Sequence, residues 1–293
     1  MILERPKTLS AYLDDRLSSG KVVFSRNEAL EVLGLDRGAF LDSAERLQKQ
    51  HRLISPRQGF YVVVPPQYLS WGSPPPAWYV DDLMRHEGRP YYVGLLKAAE
   101  LHGATHQAVM EFQVITDKRM PRISAGRTVL SSYYRKDLEA TRAGIEDRKT
   151  DTGRMKISSV ELTTLDLLRY PHASGGINHI ATVLSDLGKK IDAGKLAALA
   201  PAFERPVVRR TGWLLDHLGF RGRTEKMHRR FLKEAQRPWT ELEPAIVGDP
   251  DLTPAPVEKD KRWNIVIRRI PEADSHEKTA TQPERLATNN FLK

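Results

Sequence analysis

The chain contains no cysteine. That absence excludes disulfides, cysteine-ligated zinc, iron–sulfur clusters and any thiol nucleophile. No run of about 18 apolar residues occurs, so no membrane span and no membrane partner is expected. The first ten residues carry Glu4, Arg5, Pro6 and Lys7 where a secretory signal needs an apolar stretch, which leads to the expectation of a cytoplasmic protein. Catalytic signatures are missing too. There is no Walker lysine motif, no GxGxxG after a strand and no HExxH. His102 and His106 stand four apart, but Gly103 between them should break a helix. Pro250-Asp251 with Glu258-Lys259 is too irregular and too proline-rich to read as a nuclease site. No catalytic residue, metal ligand or cofactor is assigned, and the protein is not expected to be an enzyme.

What the chain does have is positive charge. Its 293 residues carry 46 Lys and Arg against 37 Asp and Glu, a formal net charge of +9. A polyanionic partner suits such a balance. The excess is uneven. Residues 1–76 are close to balanced, with ten basic and eight acidic side chains, whereas residues 171–240 hold thirteen against six.

The first 75 residues follow a helix, short strand, helix, turn, helix, hairpin pattern. Over 8–19, Leu9, Tyr12, Leu13 and Leu17 share one helical face, with Thr8 as N-cap and Gly20 as stop. Ser25 and Glu28 form a capping-box pair for a second helix that stops at Gly34. Asp36 opens a third, 37–50, with Phe40, Ala44 and Leu47 inward. The period then changes from 3.6 to 2 across 53–55 and 60–64, around a Pro56–Gly59 turn. This order predicts a winged helix-turn-helix in residues 1–75. Its outer recognition face is Arg37, Ser43, Arg46, Lys49 and Gln50, and its wing tip is Arg57 and Gln58. Those residue types bond base edges and phosphates, so double-stranded DNA is the expected partner. Asp42 and Glu45 on the same helix oppose phosphate.

Prolines at 65, 66 and 74–76 mark a boundary within 65–77. Beyond it, a second domain, 77–271, should be mixed α+β. Helices are expected over 77–87, 91–103, 159–170, 177–187, 193–200, 206–218 and 223–235. Strands are expected over 112–116, 127–134, 156–158 and 263–267, with a basic loop holding Lys118, Arg119 and Arg122 between the first two. Residues 272–293 read as a disordered tail. Arg209 and Arg210, and the stripe Arg223, Lys226, Arg230 and Lys233, form a second candidate phosphate-contacting surface. The alternative for that stripe is an ordinary solvated face.

Two segments carry a family resemblance: 91–107 (YYVGLLKAAELHGATHQ) and 156–168 (KISSVELTTLDLL). With the helix-turn-helix ahead of them and the Gly-Phe-Tyr hairpin at 59–61, they resemble AbiEi-type antitoxins of type IV, or abortive-infection, toxin–antitoxin operons, over roughly residues 8–235. The resemblance implies a repressor of its own operon that binds promoter inverted repeats. It further implies an antitoxin that opposes a nucleotidyltransferase-type toxin. Two readings remain beside it: a stand-alone winged-helix regulator with a ligand-sensing second domain, and, less favoured, an enzyme with a winged accessory domain.

Overall fold

The computed structural model of the chain describes residues 6–104, 109–231, 238–244 and 253–273. Helix α1, Leu9–Ser18, opens where Thr8 Oγ1 accepts from Ala11 N at 3.2 Å. Strand β1, Val23–Ser25, leads into α2, Arg26–Leu33. The capping box is complete: Glu28 N donates to Ser25 Oγ at 3.1 Å, and Glu28 Oε2 accepts from Ser25 N at 3.4 Å. Gly34, at φ +63°, ends α2 in the left-handed region, where a side chain would be strained. Asp36 Oδ1 then accepts from Ala39 N at 3.0 Å and starts α3, Arg37–Lys49.

Strands β2, Leu53–Arg57, and β3, Phe60–Val63, complete an antiparallel sheet in the order β1-β3-β2. An aromatic stack holds the helices to this sheet. Phe24 meets Tyr12 edge-on at 5.3 Å and stacks on Tyr61 at 5.5 Å, and Phe40 of α3 meets Tyr61 edge-on at 5.3 Å.

The second part is built on a six-stranded mixed sheet. Helix α4, Val80–His86, precedes β4, Tyr91–Val93, and α5, Leu95–Leu101. Then come β5, Glu111–Thr116, β6, Ile123–Ala125, β7, Thr128–Tyr134, β8, Ile145–Lys149, and β9, Arg154–Ser158. The order is β6-β7-β5-β4-β9-β8, with β5/β7 and β4/β9 parallel and the other neighbours antiparallel. Helices α6, Val160–Arg169, α7, Gly176–Leu187, α8, Ala193–Leu199, α9, Arg205–His217, and α10, Arg221–Phe231, follow. A small sheet, β10, Thr240–Glu241, β11, Glu258–Asp260, and β12, Ile265–Ile267, closes the described chain. The fold is α+β.

Alternation along β4 shows how the layers divide. Tyr92 faces the cluster made with α5 to α9, while Tyr91 and Val93 face a second cluster with Leu83 and Met84 of α4. Val22, Phe60 and Val62 of the first unit belong to that second cluster. The two parts of the chain therefore share a core.

The structure corrects several sequence expectations. The helix expected over 91–103 divides, because Tyr91–Val93 pairs with β5 and β9 before α5 begins. The helix expected from 77 starts at Val80, after a 3-10 turn at Pro76–Trp78. Strands β6 and β8 were not anticipated. The expected tail lies outside the described residues from 274 on, as do His106, Pro250, Asp251, Lys233 and the last residues of the expected 223–235 helix.

The proline-rich stretch is fastened to the sheet. Arg127 N donates to Trp71 O at 2.9 Å, and Ser73 Oγ donates to Thr128 Oγ1 at 2.9 Å. Gly72 and Gly126 touch, both at positive φ, and a Cβ on Gly126 would fall 2.1 Å from Trp71 O. Only glycine allows that approach.

Candidate nucleic-acid interface

On α3 the inward side is Phe40, Ala44 and Leu47, all buried. Arg37, Arg46, Lys49 and Gln50 are exposed, and Ser43 is half-buried at the rim. The turn at Gly34–Asp36 sets this helix directly after α2, with its outer face free of the aromatic stack. Arg46 folds back on its own helix, donating from Nε to Asp42 O at 3.2 Å and from Nη2 to Ser43 Oγ at 3.3 Å. Lys49 Nζ lies 2.7 Å from Glu45 Oε1, and this partner holds the Glu45 carboxyl below its usual range. Both side chains are exposed, so the pair is worth little and either can exchange partners. Two of the four cationic or amide groups on this face, Arg37 and Gln50, form no side-chain hydrogen bond or ion pair among the described residues.

The hairpin tip expected to act as a wing does something else. Arg57 Nη2 donates to Pro121 O at 2.7 Å, and its Nε lies 3.5 Å from Glu87 Oε1. His86 Nε2 lies 3.1 Å from Gln58 O, and the His86 ring packs on Phe60 at 5.3 Å. The hairpin is turned onto α4 and the β5–β6 connection. Arg57 is thereby committed to an internal contact, while the Gln58 side chain stays exposed.

Arg209 and Arg210 also need correction. Arg209 is 4% exposed, with Nη1 donating to Pro238 O at 2.6 Å and to Thr240 Oγ1 at 2.9 Å. Arg210 Nε donates to Glu241 O at 2.9 Å. Both hold β10 to α9, and burial pulls the Arg210 pKa down. Arg209 is thereby turned inward, while Arg210 is half-buried with its Nε engaged. Their place on a helix gave no hint of this, because the acceptors lie some 30 residues ahead in the chain.

On α10, Thr224 and Met227 point inward, while Arg223, Lys226 and Arg230 are exposed. Helix α8 packs against α10. It adds cations that were not singled out: Lys189 and Lys190 just before it and Lys195 within it, all exposed. Arg223 Nη2 reaches Lys189 O at 3.4 Å. Asp192 caps α8 by accepting from Lys195 N and Gly194 N. These bonds, and then the nearby Lys226 charge, hold its carboxyl below the usual range. Glu225, the acidic residue inside the stripe, is bonded by Arg262 Nη2 at 2.8 Å, and that bond lowers its pKa. Glu225 also lies 3.7 Å from Arg229, and Arg262 is shared with Asp216, so Glu225 pairs with neighbours outside the stripe residues Arg223, Lys226 and Arg230.

No helix among the described residues is long and apolar enough to cross a membrane. The molecule is thus an α+β protein with exposed cations gathered across α8 and α10, and with Arg37, Arg46 and Lys49 interspersed with Asp42 and Glu45 on α3. Residues 92–217 match the family model of the AbiEi antitoxin C-terminal domain. The matched stretch runs from β4 to the end of α9, so this part of the chain is similar to that antitoxin domain. The RV2827C protein from Mycobacterium tuberculosis is similar in fold over most of both chains. The TM-score is 0.65, with 16% identity, covering 89% of this chain and 92% of that one. No curated protein matches the sequence.

Proposed function

We propose that the protein is a DNA-binding repressor that autoregulates a toxin–antitoxin operon and serves as its antitoxin. In this reading residues 1–75 are a winged helix-turn-helix domain, and 77–271 are the antitoxin domain. The toxin opposed is of the nucleotidyltransferase type, in the cytoplasm. The observation that carries the DNA-binding part is the outer face of α3. An N-capped helix that follows α2 through a three-residue turn carries Arg37, Ser43, Arg46, Lys49 and Gln50 away from the core. Arg223, Lys226 and Arg230 would then supply phosphate contacts. Arg57, Arg209 and Arg210 drop out of that role, and Gln58 keeps at most a rim contact.

Gel-shift titration on the native promoter tests this. Arg37→Ala and Arg46→Ala should each weaken specific binding by about 1–3 kcal/mol if they reach bases. Unchanged affinity of both folded variants would remove α3 from recognition. Growth rescue beside a nucleotidyltransferase reading frame that overlaps or follows this one tests the antitoxin part.

A further inference from the structure

A groove of about 860 Å³ opens beside the β8 edge of the six-stranded sheet, bounded by α4 and by the 3-10 turn Glu139–Gly144. Arg85 and Arg89 stand on one side, Arg142 on the other, and Arg154 and Lys156 of β9 lie between them. These five cations come from separate stretches of chain, so they are not the solvated stripe of one helix. Three carboxylates, Asp81, Glu139 and Asp147, share the lining.

The cations differ in how far they are already committed. Arg85 is held by Asp81 and Asp82. Arg89 is only within 3.8 Å of Asp117. Arg142 lies 3.1 Å from Glu139, but both side chains are 80% exposed, and such a pair yields readily to a better partner. Lys156 lies 3.5 Å from Asp147 and is half exposed. Arg154 is exposed and enters no ion pair among the described residues.

The lining narrows the ligand. Four of the five cations are arginine, whose planar fork takes an oxyanion through two parallel bonds. Three interspersed carboxylates disfavour a uniformly charged phosphate chain but suit a ligand of mixed, mainly acidic character. Tyr91, the aromatic residue of the lining, is buried. Its hydroxyl is engaged with Asp81 Oδ1 at 3.1 Å and Lys156 N at 3.2 Å, so it offers no face for a stacked base. Among the described residues strand β8 pairs only with β9, which leaves its other edge open to another extended chain.

We propose that this groove docks an extended acidic segment of a partner polypeptide, with its carboxylates on Arg142, Arg154 and Lys156 and its backbone beside β8. The proposal uses none of the residues assigned to DNA.

A fluorescein-labelled peptide of alternating Glu and Val, titrated into the full chain by fluorescence polarisation, is the test. Saturable binding is expected. The double variant Arg142→Glu, Arg154→Glu should weaken it by at least about tenfold, whereas Arg142→Lys with Arg154→Lys should keep most of it. Both positions are exposed, so folding should survive, and Arg154→Gln alone gives a milder check with a smaller loss. Promoter binding should be unaffected by the double reversal, and peptide binding should be unaffected by replacing Arg223, Lys226 and Arg230. Absence of saturable peptide binding, or equal binding by wild type and double reversal, overturns the proposal. Inorganic triphosphate binding more tightly than the peptide, with the same sensitivity to the reversals, overturns it in favour of a small anion.

Discussion

Asp166 lies at the end of a fully buried polar network. Tyr92 Oη donates to its Oδ2 at 2.8 Å, and Arg135 Nη1 lies 3.2 Å from Oδ1, both ion-pair side chains being wholly inaccessible. Arg135 also donates to Ala202 O at 2.6 Å and sits 4.3 Å from the Phe203 ring centre. Burial pushes the Asp166 carboxyl up to about 7, against the pull of Arg135 and Tyr92. A raised carboxylate pKa means the folded state keeps a proton that the unfolded chain has released. This group's contribution to stability is therefore full below about pH 4 and falls as pH rises to about 7. Urea melts across that window should show a slope that Asp166→Asn flattens. Arg135→Met should leave the carboxyl without its cation and cost about 3–5 kcal/mol at pH 8, and less at pH 5, where protonation relieves it. Nothing in LTTLDLLR marks Asp166 as internal, because an aspartate on a helix ordinarily faces water. Its partners lie 31 and 74 residues away.

At the level of elements, legibility followed the strength of local signals. Helices α1 to α3 lie within two residues of their expected bounds because Thr8, Ser25 and Asp36 cap them and Gly20 and Gly34 stop them. Strand β4 was hidden in a helical expectation because Leu95–Leu101 follows it at once, and its extended state comes from β5 and β9, which no local pattern encodes. Strand β8, IEDRK, carries the charge of an exposed edge and lacks an apolar alternation. Of the candidate interface, the exposed residues of α3 and α10 were readable from helical phase. The inward fate of Arg57, Arg209 and Arg210 depends on acceptors from distant chain. The α10 stripe has its own expected outcome. Each Lys or Arg that neutralises a phosphate contributes about −0.9 to the slope of log K against log salt. Replacing Arg223, Lys226 and Arg230 together by Gln should flatten that slope by about two to three units, with base preference retained. An unchanged slope would assign the stripe to water or to protein.

For the whole molecule, the shared core decides how the chain divides. Val22, Phe60 and Val62 pack with Tyr79, Val80 and Leu83, so cutting at residue 77 uncovers apolar surface from both sides. Residues 77–293 alone should retain the sheet and the Trp263 contact with α9, where a Cβ on Gly212 would fall 2.2 Å from the ring. Relative to the full chain, the fragment should melt at a lower temperature and bind a hydrophobic dye more strongly. A fragment that matches the full chain in both measurements would show that the shared cluster contributes little.

The seam between Gly72 and Gly126, with Arg57 locked onto Pro121, has a thermodynamic consequence. A reading helix on a loose tether surrenders rotational freedom each time it docks, and that loss is subtracted from affinity. Here the heading of α3 is set when the chain folds. Any surface that fits α3 meets it already oriented, and one that requires a different heading must first break the seam.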